Sequence, residues 1–152
     1  MAPGMITLHE FTRSIESYSI EYYKSCILKT NQFSTKYILQ KLIESHKRHQ
    51  LKIEAVLEND NDFSVEVRLL EEFRQNFNPA GIFGSVNVEN LNFVEAAKLG
   101  IGLINYQIMF YRQIVNDIKD TELRQELEKL VILKTDHRKD LQAESERLTY
   151  KK

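Results

Sequence analysis

Three of the four histidines fall into one pattern. His46 and His49 stand three residues apart, as do Lys134 and His137, and His137 follows His49 by 88 positions. On a helix, a spacing of three puts both members of a pair on one face. Glu16 is an acid on an otherwise apolar helical stripe. Glu16, His46, His49 and His137 together offer one carboxylate and three imidazoles, a donor set acceptable to Zn, Fe or Ni. Lys134 lies on the same inward stripes and is placed to substitute for a cation. A lone histidine on an apolar stripe is more often a hydrogen-bonded core residue than a ligand. Five clustered polar residues are a different case, because each buried unpaired polar group costs roughly 1–3 kcal/mol and each charge more. They are expected to form one polar centre.

The elements that must position them are helical. With only five glycines and two prolines, the chain has few interior breaks. Leu8, Phe11, Ile15, Tyr18, Tyr22 and Cys26 recur at helical spacing over about 7–30, after a lead, 1–6, expected to be disordered. A second stripe, Leu39, Leu42, His46, His49, Ile53 and Val56, marks a helix over about 33–57. The run Asn59, Asp60, Asn61, Asp62 forms turns and opens a crossover, 59–92. Residues 63–77 read as a shorter helix capped by Ser64. Ala97, Ile101, Ile104, Ile108, Tyr111 and Val115 mark a helix over about 93–118. Leu123, Leu127, Leu130, Lys134, His137, Leu141, Glu144 and Leu148 mark another over about 121–148, capped by Thr121. The connections run short, long, short. The expected fold is therefore all-α and one domain: two antiparallel helical hairpins joined by a long crossover, the ferritin-like four-helix bundle.

A half-repeat supports this order. ESYSIEYY at 16–23 returns as INYQIMFY at 104–111, pairing Tyr18 with Tyr106, Ile20 with Ile108 and Tyr23 with Tyr111. The same offset pairs Leu39 with Leu127, Leu42 with Leu130, His49 with His137 and Ile53 with Leu141. It also sets Ile104 opposite Glu16 and Lys134 opposite His46. The aromatic frame is copied and the acid is not.

With this topology, repeat and frame, the chain resembles the rubrerythrin-type ferritin-like family over about 7–148. In that family the first and third helices each present an inward Glu followed seven residues later by Tyr. The second and fourth each present Glu-x-x-His, and the set binds two iron ions. The resemblance assigns Glu16 and Tyr23 to the first helix, Tyr111 to the third, and His49 and His137 to the two histidine positions. It also shows what has gone: His46, Ile104 and Lys134 stand where three carboxylates are expected, and Cys26 has no cysteine partner to form a rubredoxin-like site.

Charge decides what this implies. A dication about 5 Å from an ammonium is repelled by roughly 6–7 kcal/mol at an effective dielectric of about 20. Neutralising that lysine at pH 7 costs about 4–5 kcal/mol instead. A two-iron centre is therefore not expected. The expectation is a metal-free Glu16–Lys134 pair flanked by the three histidines, with Tyr23 and Tyr111 completing the polar centre. One Fe or Zn ion at Glu16, His46, His49 and His137 is the alternative.

The remaining composition narrows partners. Twenty-one basic against twenty-two acidic residues offer no field for nucleic acid or an anionic membrane. MAPGMITLHEF carries no signal-peptide pattern, and a single cysteine fits a reducing, cytoplasmic setting. His9 is expected to be exposed, and runs such as Glu126–Glu128–Lys129 to be solvated faces. IFGSVNVENLNF could cover a sister subunit in a homodimer. The leading functional expectation is a degenerate rubrerythrin relative without two-iron catalysis, acting as a binding or structural protein. The alternatives are a one-ion oxidoreductase and a helical interaction module whose polar core fixes register.

Overall fold

The computed structural model describes residues 4–57, 63–77 and 90–150. Its elements are β1 (Met5–Thr7), α1 (Leu8–Lys29), α2 (Phe33–Val56), β2 (Ser64–Glu66), α3 (Val67–Asn76), α4 (Phe93–Asp117) and α5 (Thr121–Tyr150). The chain is mainly helical. The turn run at 59–62, Pro79 and the glycines at 81 and 84 lie outside the described residues, as do most of IFGSVNVENLNF and the side chain of Leu148.

Helix α1 packs along α2 and α4 along α5, and α2 also meets α4 and α5. Gly100 lets α2 and α4 approach closely: a Cβ there would stand 2.5 Å from Leu42 Cδ2. The inward faces follow the apolar stripes, but Val56 turns outward. The 88-residue offset reappears as a burial register. Each buried residue of α1, from Leu8 and Phe11 to Tyr23 and Cys26, has a buried counterpart in α4, from Ala96 and Leu99 to Tyr111 and Ile114.

Several local expectations are corrected. The lead is ordered from Gly4, because Met5–Thr7 pairs antiparallel with Ser64–Glu66, with Ile6 opposite Val65. Gly4, at φ 80, begins this ribbon and its carbonyl accepts from Val67 N. Ser64 is thus a strand residue, and α3 starts after Glu66 with no side-chain cap. Thr7 caps α1 by accepting from Glu10 N. Helix α5 is capped by Asp120, whose Oδ1 accepts from Glu122 N and Leu123 N, and not by Thr121. His9 is half-buried, its ring Nε2 bonded to the Leu57 carbonyl at the end of α2. Glu126 is buried and paired with Lys129 at 2.6 Å.

Helix α3 is pinned by aromatic contacts. Phe73 is fully buried, with ring centroids 5.0 Å from Tyr106 and Phe110 and 5.6 Å from Tyr18. The Tyr106 hydroxyl donates to the Phe73 carbonyl at 3.1 Å. Tyr18 and Tyr106, equivalent in the repeat, therefore grip the same ring from α1 and α4. Removing that ring leaves a cavity three helices cannot collapse into. Phe73→Ala is expected to cost about 3–5 kcal/mol in urea unfolding, whereas Phe33→Ala, at an 83% exposed position, should change stability by less than about 0.5 kcal/mol.

Candidate polar centre

The centre is built where the inward stripes of α1, α2 and α5 converge. Glu16 lies one turn beyond Thr12 on the buried face of α1, and Tyr23 follows two turns later on the same face. His46 and His49 project from α2, with Ser45 beside them. Lys134 and His137 project from α5, and Lys134 is fully buried.

Lys134 Nζ is in ion-pair contact with Glu16 Oε1, with side-chain exposures of 0% and 2%. The second oxygen, Glu16 Oε2, lies 2.6 Å from His46 Nδ1. On the far side of that ring, His46 Nε2 lies 3.4 Å from the Tyr23 hydroxyl. The proton positions follow from chemistry. Burial holds His46 down to about 4, so its imidazole is neutral at pH 7. Burial pushes the Tyr23 phenol up, so it keeps its proton and donates to Nε2. His46 Nδ1–H then donates to Glu16. Tyr23, His46, Glu16 and Lys134 form one polar chain, two hydrogen bonds and an ion pair, crossing three helices. Burial also drives the Lys134 ammonium well below its ordinary range. Whether the shared proton sits on nitrogen or oxygen, the Glu16–Lys134 pair has no net charge.

His137 and His49 sit beside this chain. His137 Nε2 is 2.6 Å from Ser45 Oγ, and its ring meets His46 edge-on at 5.3 Å. The His49 and His137 rings stack at 4.3 Å with an interplanar angle of 24°. Burial depresses both imidazoles, His49 to about 4, and the neighbouring imidazoles push the same way. His49 Nε2 and His137 Nδ1 are buried without hydrogen-bond partners.

The sequence-predicted residues are therefore brought together in two groups: Glu16, His46, Lys134 and Tyr23 in one, and His49 with His137 in the other. Among the described residues, no three His, Cys, Asp or Glu side chains are arranged to hold a metal ion. Tyr111 joins neither group. Its ring packs edge-on to Phe11 at 6.3 Å and its hydroxyl has no partner. Ile104, at the repeat position of Glu16, is buried in apolar surroundings.

A contact between Ser19 and Gln107 was not foreseen from sequence. Gln107 Nε2 donates to Ser19 Oγ at 3.0 Å, and the two residues are 88 apart. They mark, with the stacked His49 and His137, a local twofold relation between the halves, since equivalent residues touch one another. Both are polar at one inward position of each half, a signal available in the sequence. Ser45 has no polar counterpart, because Leu133 occupies its equivalent position.

No family model, curated protein or solved structure matches the chain. Among the described residues, no helix is long and apolar enough to cross a membrane.

The neutral imidazoles set a pH dependence. The unfolded chain binds protons at His46 and His49 near their ordinary 6.5, while the folded chain resists until about 4. Stability present above pH 6.5 is thus lost as pH falls toward 4, by up to about 1.4 kcal/mol per pH unit for each histidine. Urea midpoints at about pH 7 and about pH 5 should differ clearly, and equal midpoints would contradict buried neutral rings. The ion pair gives a second expectation. Lys134→Met leaves a buried carboxylate unmatched and should cost about 3–5 kcal/mol, much of it regained in Glu16→Leu/Lys134→Met.

Proposed function

We propose that this chain is a rubrerythrin-type ferritin-like four-helix bundle in which an internal ammonium has taken the place of metal, and that it serves as a binding or structural protein. The observation that carries this reading is the contact between Lys134 and Glu16 at a fully buried position. The short, long, short connections and the 88-residue register support the bundle.

The residues present do not fit two iron ions. Such a pair brings four positive charges, and the inward positions supply one carboxylate, Glu16, already matched by Lys134. His46, Ile104 and Lys134 provide no anion at the other three positions. A dication beside Lys134 would meet repulsion of several kcal/mol, of the order of ordinary metal-binding energies. The centre's role is then to be neutral, dry and fixed in register. Homodimerisation is part of this proposal, supported by the exposed Ile132 (61%), which lines a groove between α4 and α5 with Val115 and Val131.

One observation favours a second reading, a single ion: His49 Nε2 and His137 Nδ1 have no partners. Metal analysis of untagged protein separates the two. Less than about a tenth of an equivalent of iron or zinc is expected, and near-stoichiometric metal would overturn the metal-free centre. Lys134→Glu, which restores a carboxylate and removes the cation, should raise Fe(II) or Zn(II) affinity at least about tenfold by competition titration. No gain would count against the geometry proposed for the centre.

A further inference from the structure

The stacked His49 and His137 form the floor of a cleft of about 240 Å³ between α2 and α5. Its walls are related by the same half-repeat that places the two histidines. Arg48 and Lys52 stand one turn apart on α2. Asp136 and Asp140, at the corresponding positions 88 residues later, stand one turn apart on α5. The walls are copies of each other with the sign of charge reversed.

A basic ridge facing an acidic ridge would ordinarily close into salt bridges. Here none of the four side chains is in an ion pair with another, although each lines the same cleft. His49 and His137 are only 4% and 7% exposed, and their unpartnered ring nitrogens are closed to solvent. Contacts with a guest therefore fall to the two opposed, mutually unpaired charged walls.

The charge pattern restricts the guest. A simple anion is repelled by Asp136 and Asp140, and a simple cation by Arg48 and Lys52. A small molecule bearing both charges is attracted to both walls at once. The cleft is smaller than the roughly 300–1,000 Å³ of drug-sized pockets, which limits the guest to about the size of one amino acid. Glu144 extends the acidic wall one further turn and gives it three carboxylates to two cations.

The geometry points to a binding site for a free basic α-amino acid: carboxylate against Arg48 and Lys52, α-ammonium against Asp136 and Asp140, side-chain cation toward Glu144. The planar guanidinium fork makes L-arginine the probe of choice. This site gives the binding role proposed above a ligand class. It does not depend on Glu16 or Lys134, so metal content and amino-acid binding can fail separately.

Titration of the full-length protein with L-arginine, followed by ¹⁵N-edited NMR of the backbone and imidazoles, tests the assignment. Saturable shifts centred on α2 and α5 around the cleft, including His49 and His137, are expected below about 10 mM ligand. Agmatine, which lacks the carboxylate, and L-glutamate, which reverses the side-chain charge, should each bind at least about tenfold more weakly. Arg48→Ala/Lys52→Ala and Asp136→Asn/Asp140→Asn, all at exposed positions, should each weaken L-arginine binding by a similar factor with the fold retained. Absence of saturable shifts with L-arginine overturns the site. So does equal binding of L-arginine and agmatine, or binding unaffected by both double variants.

Discussion

Taking a carboxylate out of water is so unfavourable that whatever surrounds it must be arranged around that fact. Glu16 is such a group, and the interior answers it from two sides: Lys134 on one oxygen and His46 on the other. Each answer comes from a different helix, so the requirement for charge neutrality becomes a requirement on helix placement. A shift of α5 by one residue would turn Lys134 from the centre and strand the acid. Such a pair is worth little net stability compared with apolar packing, and the role proposed for it is to favour one arrangement of the helices over its neighbours.

The apolar core is organised around this centre in two clusters. One gathers Tyr23, Leu39, Leu42 and Ile104, and the other Phe11, Ile53, Tyr111 and Leu127. Helix α3 and the ribbon lie against the second, so the aromatic grip of Tyr18 on Phe73 and the polar chain from Glu16 and Tyr23 through His46 hold the same stretch of α1 from two sides. The repeat explains why the two halves match so closely in burial and so poorly in charge. Packing depends on shape, and Ile104 fills its place in α4 as adequately as Glu16 fills its own. Charge depends on partners, and one ion pair suffices for two positions.

Much of this could be read directly in the sequence. Long apolar stripes at helical spacing located all four long helices to within two residues at each end. Polar residues on those stripes located the centre, because five of them clustered on facing core positions must satisfy one another. What escaped was local or non-local in specific ways. Two three-residue strands carry no alternating pattern, and their pairing joins residues almost sixty apart. Asp120 and Thr121 are both good caps, and only side-chain orientation chooses between them. His9 looked like surface until the end of α2 supplied a carbonyl for its ring. The offset that aligned the histidines also aligned Arg48 with Asp136. Reversed charges do not register as similarity, so that symmetry became visible only when both walls faced the same space.

The short ribbon has a consequence for how the chain comes apart. Gly4 to Thr7 and Phe63 to Val67 are zipped together by backbone bonds on either side of the first helix's start. The beginning of the chain and the middle of the crossover therefore cannot loosen independently: fraying at the amino terminus frees the entry to α3, and lifting α3 uncovers the first turn of α1. These distant stretches form a single cooperative latch, so a disturbance in either would register in both.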